Sequence, residues 1–155
     1  MKVKTIFIVL MVILHFNMNA RNQKMGDLYK YVIEDYYNKS LKEGYLSERD
    51  TMYLVWCFHD SVENCFNYDI QLNNDKIQFK IPKVDHNCTS ASVCKLNIPE
   101  IEGQFIQISI SPYQVTYMGE NEGTGIIYSE TITYIFKFDK KKSKYIFDSK
   151  KEYGL

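Results

Sequence analysis

The sequence predicts an α+β domain in which one N-terminal amphipathic helix packs on an antiparallel sheet of about six or seven strands. Three observations lead to this class. An early segment has the period of a helix, the chain after it alternates polar and apolar residues, and clusters of Asn, Asp, Gly and Pro separate the alternating runs. No linker rich in Pro, Gly or Ser divides the 155 residues, so we expect one domain over residues 21–155.

The helix is predicted from Gly26 to about Glu43. Apolar residues recur there at i, i+1, i+4 and i+5 and therefore share one broad face: Leu28, Tyr29, Val32, Ile33, Tyr36, Tyr37 and Leu41. Charged residues cover the rest of the surface, and Gly44 is a natural end for the helix. We interpret the tyrosine-rich face as a core face and not as a ligand site.

The first strands follow from alternation that begins at Met52. Residues 52–58 are apolar at both alternating positions, so we expect this strand to be at least partly buried on both faces. Residues 68–72 and 77–81 flank the stretch 73–75, which consists of Asn and Asp, and the arrangement predicts a hairpin. Residues 83–102 show no sustained period and are expected to be irregular.

The second half of the chain predicts longer strands. Residues 106–117 alternate with an interruption at Pro112, residues 119–125 form a loop, and residues 126–138 form a long strand. A turn at 139–144 then leads to a strand at 145–147. This order is similar to that of cystatin-like folds, a likeness of element order alone, since no motif in the chain identifies a family.

The first twenty residues have the plan of a secretory signal peptide. Lys2 and Lys4 precede an unbroken apolar run from Ile6 to Leu14, which is too short to span a bilayer, and Ala20 stands just before Arg21. We therefore expect a secreted or periplasmic protein with residues 1–20 removed. The alternative is an uncleaved membrane anchor, because Met18 occupies a position where a small residue is preferred; only then is a membrane a partner.

The charge balance argues against nucleic acid as a partner. Of the 19 basic residues, Lys2 and Lys4 lie in the export segment, so 17 remain against 19 acidic residues. The segment from Lys137 to Lys151 nevertheless contains seven lysines. They could touch anionic lipid or polysaccharide, or they could be solvated residues that protect an edge strand from aggregation.

The four cysteines are disulfide candidates because of the expected export: Cys57, Cys65, Cys88 and Cys94. Three pairings are open. We favour Cys57 with Cys65 and Cys88 with Cys94, since loop closure favours neighbours in sequence. The spacing fits neither a zinc site nor a redox-active CxxC motif.

Catalytic, cofactor and metal sites are not indicated by any motif. His59, Asp60 and Ser61 combine the residue types of a hydrolytic triad, but consecutive residues rarely converge, and we interpret them as a polar turn. Asp85 and His86 lack further ligands at metal-binding spacing. Two acidic pairs remain open as carboxylate pairs of a glycosidase and are more simply solvated loop residues: Glu100 with Glu102, and Glu120 with Glu122.

We therefore expect an exported, non-catalytic binding or interaction protein without a cofactor. One form is an inhibitor or immunity-type partner of another extracytoplasmic protein. Recognition is expected on the loop 83–102, on the loop with Glu120 and Glu122, and on exposed tyrosines. The alternative is a ligand-binding or hydrolytic pocket between the helix and a curved sheet, lined by tyrosine, His59 and a distant carboxylate.

Overall fold

The fold, seen in a computed structural model, is one helix packed on one open sheet. The structure describes residues 25–56, 70–80, 90–119, 123–128 and 130–154. The helix α1 spans residues 25–42. The strands are β1 (Met52–Trp56), β2 (Ile77–Phe79), β3 (Ser90–Leu96), β4 (Glu100–Glu102), β5 (Phe105–Gly119), β6 (Gly123–Tyr128), β7 (Thr131–Asp139) and β8 (Lys144–Tyr153). The predicted α+β class and the N-terminal helix are confirmed.

The sheet is built around the long strand β5. The strand order is β2-β1-β3-β5-β7-β8, and β4 and β6 each pair with β5 as well. Strands β3 and β4 lie along one side of β5, and β6 and β7 lie along the other. The eight described strands therefore occupy six positions across the width of the sheet. Most pairs are antiparallel, as predicted, but β1 pairs with both β2 and β3 in parallel.

The prediction of a hairpin around residues 73–75 is wrong for the residues that the structure describes. Residues 70–74 form no strand, and β2 lies parallel to β1 with Met52 opposite Ile77. The turn itself is present, since the Asn74 side-chain oxygen accepts a hydrogen bond from the Lys76 N–H at 2.9 Å. Ile70 and Leu72 still pack against the core. The alternation of apolar and polar residues at 70–72 therefore reflects a chain that buries one side against the core but pairs with no strand.

The segment 83–102, expected to be irregular, contains β3 and β4. Strand β3 lies inside the sheet, between β1 and β5, so tertiary pairing on both sides imposes the strand. Its sequence, SASVCKL, mixes small, polar and apolar residues, which hides the alternation. Cys94 and Leu96 nevertheless face the helix side of the sheet and join the main core.

Glycine ends the helix as predicted. Gly44 has a φ of 76°. The Tyr45 N–H donates a hydrogen bond to the Ser40 carbonyl at 2.9 Å, and the Gly44 N–H donates one to the Leu41 carbonyl at 3.2 Å. These two hydrogen bonds define a Schellman motif, which satisfies carbonyls that the last helical turn leaves unpaired. The chain then turns back toward the sheet, and Leu46 is buried.

The main core lies between α1 and the sheet. All six apolar residues from Leu28 to Tyr37 in the predicted stripe are buried, and Leu41 packs at its border. They meet alternate residues of the central strands, including Ile106, Ile108, Ile110, Ile132, Tyr134 and Phe136. A smaller cluster on the opposite face contains Val55, Val93 and Tyr113, which confirms that β1 is at least partly buried on both sides over its described length.

Pro112 does not interrupt β5, contrary to the prediction. The pairing of β5 with β7 ends at Ile110, and its pairing with β6 begins at Tyr113. Pro112 therefore lies beside the break between the two partner strands. A proline, which has no N–H to donate, is tolerated there inside a long strand.

The lysine-rich segment forms the β7–β8 hairpin, with β8 at the edge of the sheet among the described residues. Asp139 organises its turn by accepting hydrogen bonds from the N–H groups of Lys141 and Lys142, at 2.8 and 3.2 Å. An irregularity in the ladder at Asp148 shifts the register, so that Phe147 and Lys150 both face the helix. Lysines and a bulge at an edge strand are devices that prevent edge-to-edge pairing.

Candidate functional site: a cavity between helix and sheet

The main candidate site is a cavity of about 410 Å³ between the end of α1 and the sheet, called here the helix–sheet cavity. Its volume lies in the range of small-molecule sites in proteins. Both polar and apolar residues line it: Tyr36, Ser40, Tyr45, Leu46, Met52, Ser92, Val93, Cys94, Pro112, Tyr113, Gln114 and Glu130.

The helix side of the cavity follows from helical spacing and from the helix end. Tyr36 and Ser40 are four residues apart, so both lie on the face of α1 that meets the sheet. The Gly44 turn then brings Tyr45 and Leu46 back to the cavity. Tyr45 is 70% exposed and Leu46 is buried, so the two residues belong to the outer and the inner part of this wall.

The sheet side comes from β1, β3 and β5. Cys94 stands directly opposite Pro112 in the β3–β5 ladder, and Met52 begins β1. Glu130 lies in the short connection between β6 and β7, next to the same part of β5. Three strands and one connection thus converge on the end of the helix.

Tyr36 and Cys94 form a buried polar pair in the cavity wall. The Tyr36 hydroxyl lies next to the Cys94 thiol, and both residues are less than a tenth exposed. Burial raises the pKa of the Cys94 thiol to about 12, although the hydrogen bond from Tyr36 opposes the rise. Burial also raises the pKa of Tyr36 above its usual range, and the neighbouring Cys94 adds to this effect. Both groups are therefore uncharged at neutral pH.

Ser40 places a hydroxyl in the cavity wall, and the hydrogen-bonding capacity of this hydroxyl is not used. The residue is 2% exposed, and its Oγ has no hydrogen-bond partner within the described part of the chain. The Tyr36 hydroxyl is its polar neighbour, but the two do not adopt full hydrogen-bond geometry. A buried hydroxyl without a partner is costly, so this group has unused capacity to bind a ligand atom.

Glu130, the carboxylate of the cavity, is held by Lys39. The Lys39 Nζ lies 2.8 Å from Glu130 Oε1, 3.0 Å from Glu152 Oε1 and 3.8 Å from Glu43 Oε2. Burial by itself lowers the pKa of Lys39, but the hydrogen bonds to Glu130 and Glu152 outweigh it and raise the pKa above its usual range. Lys39 therefore stays charged and compensates Glu130.

The thiol and the serine hydroxyl of the cavity differ from activated nucleophiles in their surroundings. A cysteine nucleophile reacts as the thiolate, and burial keeps Cys94 protonated. Ser40 has no described histidine or carboxylate hydrogen-bonded to it that could act as its base. In the described part of the chain, no group of three or more His, Cys, Asp or Glu residues could hold a metal ion.

Most residues singled out in the sequence lie outside the described residues: Cys57, Cys65, Cys88, His59, Asp60, Ser61, Asp85, His86, Glu120 and Glu122. Cys94 is described and carries a free thiol. The proposed disulfide pairings thus stay predictions. Glu100 and Glu102 lie on β4, both exposed, and each is paired with β5 through the backbone.

Residues 1–20, the predicted signal peptide, also lie outside the described residues, which begin at residue 25. Among the helices that are described, none has the length and apolar character needed to cross a membrane.

Two polar residues on which the site depends, Ser40 and Glu130, were not predicted from the sequence. Ser40 continues the apolar stripe of α1, one turn after Tyr36, and a serine at a core position is a signal that could have been noticed. Glu130 gives no comparable signal, because its partner Lys39 is 91 residues away in sequence. Tyr36 was assigned to the core, and the structure adds that its hydroxyl contacts Cys94.

Comparison with known proteins adds no family to this description. No family model matches the chain, and neither the curated proteins nor the solved structures contain a match to it.

Proposed function

We propose that this protein is an exported, non-catalytic binding protein that holds a small molecule in the helix–sheet cavity. The observation that carries the proposal is the buried Ser40 hydroxyl, which lines a cavity of ligand size and lacks a hydrogen-bond partner among the described residues. Cavities of this size with a few convergent polar groups are the usual form of small-molecule sites.

The protonation states around the cavity support binding over turnover. Tyr36 and Cys94 are uncharged near neutral pH and Glu130 is compensated by Lys39, so neither an activated nucleophile nor a free base faces a ligand in the described part of the cavity. Hydrolysis in this cavity is for that reason the weaker form of the proposal.

A second candidate function, recognition of another protein, is favoured by the surface of β4. Ile101 is 63% exposed and Ile98 is 45% exposed, and Glu100 and Glu102 flank Ile101 on the same strand. Exposed apolar residues with a charged rim are typical of interaction surfaces. This surface belongs to the segment 83–102, on which recognition was expected.

A thermal-unfolding screen tests the proposed function. Several hundred small fragments are added to the mature chain and, in parallel, to Ser40→Leu, whose larger side chain occupies the cavity. A ligand that binds only the folded state raises the melting temperature. We expect some compounds to stabilise the wild type and not Ser40→Leu.

The matched control is Asn38→Leu, at an exposed position of the same helix. This variant should respond to the compounds like the wild type. If no compound distinguishes the wild type from Ser40→Leu, the cavity is not a binding site and the proposal is overturned.

A further inference from the structure

We infer that the helix–sheet cavity selects an uncharged, mainly apolar small molecule with one hydroxyl or carbonyl oxygen, which bonds to the Ser40 hydroxyl. This inference rests on the proposed function and names its ligand class. It depends on the charges that face the cavity, on its apolar walls and on the unpartnered Ser40 Oγ.

The charges around the cavity argue against an ionic ligand. In the inner part of the cavity, the Tyr36 phenol lies next to the Cys94 thiol. Both groups are uncharged, so neither can neutralise a buried ion. A disulfide at Cys94 would be uncharged as well. The lining carboxylate, Glu130, is already bonded to Lys39 at 2.8 Å, so neither partner of this ion pair is free to pair with an ionic ligand. A charge moved from water into such surroundings costs several kcal/mol or more without a partner.

The surrounding carboxylates need separate consideration, because Lys39 contacts three of them. Glu43 and Glu152 have side chains that are 39% and 44% exposed, so water screens both. Neither is among the residues that line the cavity. Within the described structure, the one carboxylate of the cavity wall that a cationic ligand would meet is therefore Glu130, which Lys39 already contacts.

The remaining wall residues favour an apolar body. Leu46, Met52 and Pro112 provide aliphatic or sulfur-containing surface. Burial of apolar area supplies most of the free energy for such a ligand, and one hydrogen bond fixes its orientation. Ser40 can donate to a carbonyl or accept from a hydroxyl, since a serine hydroxyl does both.

Four probes of nearly equal size test this inference: 2-phenylethanol is neutral with one hydroxyl, 2-phenylethylamine is a cation, phenylacetate is an anion, and propylbenzene has no polar atom. Binding to the mature chain is followed by the methyl resonance of Met52, which lines the cavity. The methyl resonance of Met25, at the other end of α1, serves as the internal reference. The same titrations are repeated with Ser40→Ala.

We expect 2-phenylethanol to bind most tightly and to lose about threefold to tenfold in affinity in Ser40→Ala, the usual effect of one hydrogen bond. Propylbenzene should bind more weakly and should not depend on Ser40. Tighter binding of the amine or the acid would overturn the ligand class and leave the proposed function intact. Equal affinity of the alcohol for both proteins would overturn the role of Ser40. If none of the four probes shifts Met52, the ligand class is also wrong, and the fragment screen then decides separately on the proposed function.

Discussion

At the scale of single residues, Ser40 is the least satisfied polar group that the structure describes on the helix, and this makes a prediction about stability. Ser40→Ala removes a buried hydroxyl that has no partner, so the free energy of unfolding should rise. Alanine also has the better helix propensity. The exposed variant Asn38→Ala measures that contribution, and Ser40→Ala should exceed it by about 1 kcal/mol in urea unfolding. A loss of stability in Ser40→Ala would show that the hydroxyl is well bonded in the folded protein.

Cys94 predicts how the reduced protein responds to alkaline pH. The pKa of its thiol is about 12 in the folded protein against 9.0 for the ordinary group. The folded state therefore keeps a proton that the unfolded state releases. The contribution of Cys94 to stability is complete below about pH 9 and is lost as the pH rises toward 12, at roughly 1 kcal/mol per pH unit. Urea unfolding between pH 8 and pH 11 should show a steeper decline for the reduced wild type than for Cys94→Ala. Parallel declines would contradict this assignment.

At the scale of elements, the end of α1 depends on one glycine. Gly44 has a φ of 76°, and a Cβ added there would meet no atom within 4 Å. Gly44→Ala should therefore destabilise the fold through backbone strain alone, by about 1 kcal/mol. Gly154→Ala, which also meets open space and has no positive φ, is the matched control for urea unfolding. Equal stability of the two variants would mean that the Schellman motif does not constrain the helix end.

Lys39, near the end of α1, connects the helix to the sheet through ion pairs. Its side chain is 14% exposed and contacts Glu130 and Glu152, which lie 91 and 113 residues away in sequence. Since both carboxylates are about a third or more exposed, solvent screening limits the effect of Lys39→Met to a loss of about 1 kcal/mol. Lys30→Met, which removes one i,i+4 pair at 3.9 Å, should change stability by less than about 0.5 kcal/mol. Comparable losses of unfolding free energy in Lys39→Met and Lys30→Met would show that Lys39 does not stabilise the contact between helix and sheet.

The elements also show what sequence patterning can predict. The helix at 26–43 and the alternation in β5 and β7 are predictable because one face of each is apolar and the other polar, whereas only residues 145–147 of β8 were predicted as a strand. Strand β3 was missed because it carries serines and a lysine and is fixed by partners on both sides. The parallel pairing of β1 with β2 was missed because alternation does not encode the direction of a partner strand.

The candidate site was less predictable than the fold for a related reason. Tyr36, Cys94 and Glu130 come from three distant parts of the chain, and nothing local relates them. Only the spacing of Tyr36 and Ser40 is a local signal, and a serine in a core stripe is too common to indicate a cavity by itself.

At the scale of the whole molecule, the compartment remains a prediction from residues 1–20. If the signal peptide is cleaved as expected, the secreted protein begins near Arg21, and N-terminal sequencing will show it. An intact N-terminus in the membrane fraction would instead support the uncleaved anchor.

Intact mass with and without reductant tests the two predicted disulfides of the same secreted material. Each bond removes two hydrogens, so we expect the unreduced mass to be lower by four. Four free thiols would contradict the expectation. A difference of two hydrogens would also contradict it, and would fit the Cys94 thiol that the structure contains.

On the whole-molecule scale, we propose that the space between the end of α1 and the sheet binds a small molecule. The most direct test of this proposal is the Met52 methyl resonance of the wild type during titration with the tightest-binding compound of the fragment screen. We expect a saturable shift at Met52, an unchanged resonance at Met25, and no shift at Met52 in Ser40→Leu. A Met52 resonance that stays unchanged while the compound stabilises the protein would place binding elsewhere and contradict the claim.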